Sequence, residues 1–128
     1  MHFHWTAWAT LAALLTYSWM IANVGRARGR YKVPAPQMDG PPEFLRAQRV
    51  LGNTAEQMLL FLPALWLCAI FLGDRWAAAG GALWVLGRIL YATGYYQDAA
   101  RRFPGFLLTM IASSALLCGA VAGLLLAA

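Results

Sequence analysis

Two sets of polar residues in this 128-residue chain recur at helical spacing and could do chemistry. Arg46, Arg49, Asn53 and Glu56 are separated by 3, 4 and 3 positions, and Arg88, Tyr91, Tyr95 and Arg102 by 3, 4 and 7. On α-helices each set falls on one stripe. Guanidinium groups grip carboxylates with two parallel hydrogen bonds. Four arginines converging with an amide, a carboxylate and two phenols therefore predict a pocket for a polyanionic ligand. Within the set, Glu56 and Arg88 are expected to lie within reach of each other, as a clamp or as two sides of the pocket. Other chemistries lack their residues. Histidine occurs only at positions 2 and 4, so no histidine base is available to the stripes. Cys68 and Cys118 stand alone in apolar runs and read as small buried hydrophobes, with no metal site expected. No phosphate-binding glycine loop or Ser/His/Asp arrangement is present.

The elements that must carry these stripes are apolar. Hydrophobic residues make up 61% of the chain and charged residues 12%, against roughly 45–50% and about 25% in soluble domains. The net charge of +5 comes from cations that flank or interrupt apolar runs, which fits lipid headgroups and an anionic ligand, and no nucleic acid. The expected fold is all-α: one integral-membrane four-helix bundle over 1–128, with spans at about 5–24, 43–72, 76–97 and 105–127. The second span is too long for the bilayer alone, so its polar first half stands in the headgroups or in a cavity. Pro34, Pro36, Pro41 and Pro42 make 33–42 a connector. Pro63 is expected to bend the second span, and Gly73-Asp74-Arg75 to form a tight turn. Gly80, Gly87 and Gly94 recur every seven residues and mark a close helix contact, while Gly119-xxx-Gly123 with Ser113, Ser114 and Ala115 offers a small-residue face. Arg26, Arg28, Arg30, Lys32, Arg101 and Arg102 fall in the first and third loops, so positive-inside logic puts those loops in the cytoplasm and both termini outside.

Gly40-Pro-Pro-Glu-Phe44, Arg49-xxx-Asn53-xx-Glu56, Arg88-xx-Tyr91-xx-Gly94-Tyr95 and Arg102, in that order and spacing, resemble the MAPEG superfamily of membrane-associated proteins in eicosanoid and glutathione metabolism. The likeness covers roughly 26–105 and extends to the four-span plan; Asn-Thr-Ala-Glu-Gln at 53–57 looks like a bacterial member, which implies the inner membrane. The resemblance implies a homotrimer with glutathione, as co-substrate, bound between subunits near the cytoplasmic side. It implies Arg28, Arg49, Asn53, Glu56, Arg88, Tyr91 and Tyr95 as glutathione-binding residues and Arg102 as the catalytic residue holding the thiolate. Leu51, Gln57 and Gly29 depart from the leukotriene C synthase branch of that family. The activity implied is glutathione transfer to apolar electrophiles or lipids, with a peroxidase activity beside it. The alternative is a non-catalytic lipid- or glutathione-binding membrane protein.

Overall fold

A computed structural model describes residues 2–128. Four helices follow one another: α1 (His4–Tyr31), α2 (Pro42–Phe71), α3 (Asp74–Gln97) and α4 (Phe103–Ala127), with a short 3₁₀ turn over Ala99–Arg102 before the last. The second span matches its expected limits to within one residue at each end. Pro42 enters α2 in its first turn, where a missing N–H costs nothing, and Pro63 sits inside the helix without ending it.

The first helix corrects the sequence reading. It does not stop at 24 but runs seven residues further, so Arg26, Arg28 and Arg30 project from helix and not from loop. Nothing in 25–31 breaks a helix, and arginine is a good helix former. The stop comes at Lys32, which adopts the left-handed conformation (φ 56°) and returns its N–H to Arg28 O. Pro34 then prevents any restart.

α1, α2 and the segment containing α4 are long and apolar enough to cross a membrane. α3 has the length, but Arg88 and its tyrosines and glycines make it more polar. It packs against all three other helices, with α1 and α4 flanking the α2–α3 pair. The core between them includes Phe61 stacked on Trp84 at 4.0 Å between ring centres. Outside, Trp8, Leu15, Leu59, Trp76 and Leu125 are exposed, an apolar surface too extensive for water.

Glycine permits the closest approach. Gly87 and Gly105 face each other where α3 crosses α4: a Cβ on Gly105 would stand 2.5 Å from Tyr91 Cα and 2.7 Å from Gly87 O. Gly80 lies against Leu116 and Gly94 against the Arg101 carbonyl, so the seven-residue glycine pattern is the edge of α3 that faces α4 and the 3₁₀ turn before it. Gly119 and Gly123 pack on Cys68, Phe71 and Leu72 of α2. Ser113 joins that buried side, whereas Ser114, Ala115 and Cys118 are exposed, contrary to expectation.

Asp74, expected only as part of a turn, fastens the far end of the bundle. Its carboxylate accepts hydrogen bonds from Trp5 N at 3.1 Å, Thr6 N at 2.8 Å and Thr6 Oγ1 at 2.6 Å. α1 has no capping side chain of its own, so an acid from another helix satisfies its free N–H groups and complements its dipole. Desolvation pushes the Asp74 carboxyl up, but these hydrogen bonds and nearby His4 outweigh it and hold it below the usual carboxylate range.

Candidate functional site

Arg49 and Asn53 on α2, Tyr91 and Tyr95 on α3, Arg102 on the 3₁₀ turn, and Phe103 and Phe106 on α4 line one cleft of about 470 Å³. That volume lies within the range of small-molecule sites. Five of the eight site residues expected from the sequence are therefore brought together. The α3–α4 glycine crossing holds the geometry, since Gly105 sits against the Tyr91 backbone and brings Phe106 beside the Tyr91 ring, at 6.4 Å between centres. Tyr91 and Tyr95 meet edge to face at 5.5 Å.

Two cations stand at the cleft with little local neutralisation. Arg102 is exposed, lies 5.8 Å over the Tyr95 ring, and donates one hydrogen bond, to Ala99 O at 2.6 Å. Arg49 stands 3.9 Å from Glu56, and both side chains are largely exposed. Glu56 thus stays at the rim, near Arg49, and is not part of the cleft wall.

Arg88 is the principal correction. It does not meet Glu56. It is fully buried and donates to Asn53 Oδ1 at 2.9 Å, Thr54 Oγ1 at 3.2 Å and Thr109 Oγ1 at 3.0 Å. The Tyr91 ring lies 4.1 Å from its guanidinium carbon. Residues 54 and 56 are about 200° apart around a helix, so a group facing Thr54 cannot also face Glu56. Arg88 ties α2, α3 and α4 beneath the cleft. Arginine is donor only, so Asn53 must offer it the carbonyl oxygen and keep its NH₂ for the cleft.

Arg46 of the first stripe and Arg28, implied by the family resemblance, also lie outside the cleft lining. Arg46 turns to the end of α3 and donates to Tyr96 O at 3.2 Å. Arg28 lies over Phe44 at 5.0 Å and bonds Val33 O and Gln37 O at 3.3 and 2.6 Å, fastening the connector outside the cleft. The sequence reading missed Phe103 and Phe106 as cleft walls, and Thr54 and Thr109 as partners of Arg88. Thr109 follows Gly105 by one turn, so a helical projection of α4 from the glycine crossing would have found it. Among the described residues no cluster of His, Cys, Asp and Glu could hold a metal.

Fold and cleft together define a helical bundle with three candidate membrane spans and a cationic, aromatic cleft. The chain belongs to the MAPEG family, whose pattern it matches over residues 6–122. It is similar to an uncharacterized protein of Synechocystis sp., 47% identical over 121 residues, which is 94% of this chain and 88% of the relative. It is 36% identical to human microsomal glutathione S-transferase 2 over 93 residues, 73% of this chain and 63% of the human protein, so the match spans under two thirds of that relative. Leukotriene C4 synthase of Cavia porcellus is 34% identical over 119 residues, 93% and 79% of the two chains.

Proposed function

We propose that the protein is a membrane-embedded glutathione transferase that joins the glutathione sulfur to apolar electrophiles delivered by the bilayer. The observation that carries this reading is the cleft itself, in which Arg49, Asn53 and Arg102 all present hydrogen-bond donors beside two phenols. Glutathione brings two carboxylates for the arginines, amides for Asn53 and the tyrosines, an ammonium for Glu56 at the rim, and one thiol for Arg102. Relatives named for glutathione transfer and leukotriene C4 synthesis support the same ligand.

In the reaction the thiol proton leaves to solvent, the thiolate forms a C–S bond, and the leaving group departs with its electron pair. A free thiol with pKa near 8.5 is a few per cent ionised at pH 7. A cation that lowers it by about two units, worth about 2.7 kcal/mol, gives roughly 25-fold more thiolate. Nucleophilicity falls with pKa at a slope near 0.4–0.5, so the net gain is only a few-fold. Positioning of thiolate and electrophile supplies the rest. Phe103 and Phe106 at the α4 edge form the apolar side on which the electrophile arrives. Assembly as a homotrimer belongs to this reading, because Arg28 lies outside the cleft of its own chain and reaches such a site only across a boundary between copies.

The test uses purified protein in detergent micelles, with thiolate absorbance against pH and turnover of a halonitroarene. Arg102→Leu is expected to return the bound thiol to a pKa of about 8.5 or above and to cut turnover by about tenfold or more, a few-fold from lost thiolate and the rest from a sulfur no longer held in position. Arg101 is the control, since its side chain is engaged with Gln97 Oε1 at 2.6 Å and does not line the cleft. A low thiol pKa and normal turnover in Arg102→Leu remove Arg102 from catalysis. Absence of thiolate and turnover in the wild type overturns the transferase reading.

A further inference from the structure

A second concavity lies on another side of the bundle and shares no lining residue with the cleft. At the end of the bundle where α1 stops and α2 begins, Trp19, Asn23, Arg26 and Arg30 of α1, Glu43 of α2 and Tyr96 of α3 enclose part of a cavity of about 650 Å³. A separate apolar hollow of about 290 Å³, formed by Leu15, Thr16, Trp19 and Ile89, adjoins it. Trp19 borders both. Along α1 the lining positions run 15, 16, 19, 23, 26, 27, 30 and 31, one continuous stripe at helical spacing, and on α3 Ile89 and Tyr96 lie two turns apart on one side. The two hollows meet at Trp19 and line up as one groove along α1, walled by Ile89 and Tyr96 of α3 and, at the cationic end, also by Glu43 and Ala47 of α2. It follows about 24 Å of helix, more than the ~15 Å half-thickness of a bilayer's hydrocarbon core.

Its ends differ in chemistry. Arg26 donates to Asn23 Oδ1, whose amide nitrogen is fixed on Tyr96 Oη at 3.1 Å. Arg30 stands 5.6 Å from the Tyr31 ring centre. The ion pair in the structure is Arg49–Glu56, so among the described residues neither Arg26 nor Arg30 has a carboxylate partner within 4.0 Å. With Glu43 counted, the charged lining carries one net positive charge. The other end is almost wholly apolar, and Trp19 marks the level of the membrane interface between them. A ligand that fits has a singly anionic head and one long apolar tail.

We propose that the α1–α3 groove is a phospholipid site, with the phosphodiester held by Arg26 and Arg30 and one acyl chain laid past Trp19 onto Leu15 and Ile89. Basic residues at a membrane surface attract anionic headgroups in general. A groove that continues from the cations into the hydrocarbon makes this site selective for a head and tail on one molecule.

The test is native mass spectrometry of the full chain in non-ionic detergent, titrated with phosphatidylglycerol and, separately, with diacylglycerol, which has the tails without the phosphate. The wild type is expected to retain phosphatidylglycerol at least tenfold better than diacylglycerol. The double substitution Arg26→Ala/Arg30→Ala and, independently, Ile89→Trp, which fills the tail end, are each expected to lower retention at least tenfold with unchanged helix content. Arg101→Ala, a cation at the same face of the membrane but outside the groove, is expected to retain the lipid as the wild type does. The proposal is overturned if Arg101→Ala loses as much as the double variant, or if diacylglycerol is held equally well. It is also overturned if Ile89→Trp changes the oligomer mass while phosphatidylglycerol retention is intact, since the groove is then a contact between copies.

Discussion

Replacing Gly105 with alanine tests the contact on which the cleft geometry rests. The new methyl carbon would lie 2.5 Å from Tyr91 Cα and 2.7 Å from Gly87 O, where tight contacts in proteins rarely fall below 3.0 Å and ordinary ones begin at 3.4 Å. The obstructing atoms are backbone, so no side-chain rotation relieves them. α4 must retreat from α3 by about 1 Å, or the helices must bend by as much. Overpacking costs about 1–3 kcal/mol where side chains can adjust, so a backbone obstruction belongs at the upper end, about 3 kcal/mol. For a chain of this size that is a fall in Tm of about 10 °C or more. The same displacement carries Phe103 and Phe106 away from Tyr91 and Tyr95, and a misplacement of this size can cost about 100-fold in rate. The assay is thermal unfolding in micelles followed by far-ultraviolet circular dichroism, with halonitroarene turnover measured below the transition. Gly29→Ala is the stability control: nothing lies within 4 Å of its would-be Cβ, and alanine gains up to about 1 kcal/mol of helix propensity. A Gly105→Ala protein that melts within about 2 °C of the wild type refutes the crossing as a constraint.

Three further outcomes follow from the same structure. Arg88→Leu exchanges three charge-assisted hydrogen bonds for apolar packing while removing a buried charge, so its loss is held to about 1–3 kcal/mol; Arg88→Lys keeps the charge without the planar fork that spans Asn53, Thr54 and Thr109 and is expected to melt lower, an order that thermal unfolding checks and the reverse would refute. Asp74 has a folded-state pKa below its unfolded value of about 3.9, so its stabilising effect is complete above that pH and is lost as pH falls through the lower folded value; Tm measured from pH 7 to 3 should drop at the acid end, and Asp74→Asn should melt lower at pH 7 with a flatter acid limb. Glu56→Gln removes an exposed pair worth about 0–1 kcal/mol, so Tm should stay within about 4 °C while glutathione KM rises and kcat holds; a kcat loss at constant KM would move Glu56 into the chemistry.

Much of the plan was legible because the punctuation is strong. The proline-rich connector, Gly73 and the Arg101–Pro104 segment bound α2, α3 and α4 to within a few residues. The end of α1 was not legible, since Arg26, Arg28 and Arg30 looked like loop charges although arginine favours helix as readily as loop. Stripe logic anticipated that Arg49, Asn53, Tyr91, Tyr95 and Arg102 share one cleft, because each stripe lies on one rigid helix or its immediate end. It did not anticipate the partners of Arg46 and Arg88, whose long side chains reach groups set by how helices cross. Thr54 and Glu56 differ by only about 3 Å along the helix axis but point about 200° apart, so closeness in depth did not bring Arg88 to Glu56. Asp74 was invisible for the same reason: its partners lie 68 and 69 positions away, and no local pattern announces them.

The displaced arginine clarifies what the cleft can bind. If Arg88 had met Glu56, the two charges would have cancelled at the floor, and Asn53 would have been free to turn either its oxygen or its nitrogen to a ligand. Buried beneath Asn53 instead, Arg88 takes the amide oxygen at 2.9 Å and leaves the nitrogen as the group facing outward. Thr54 and Thr109 hold the guanidinium from two other directions, so the amide is fixed by a side chain that is itself fixed. Arg49 and Arg102 add further donors to the same cleft, and the carboxylate nearest them, Glu56, stays at the rim. The Tyr91 and Tyr95 hydroxyls are the wall's remaining polar side-chain groups, and each can donate as well as accept. A cavity with that polarity favours a ligand rich in carboxylate and carbonyl oxygen, with its one cationic group directed toward Glu56. Arg88 therefore acts as a positioning residue, setting the polarity of a site that it does not line.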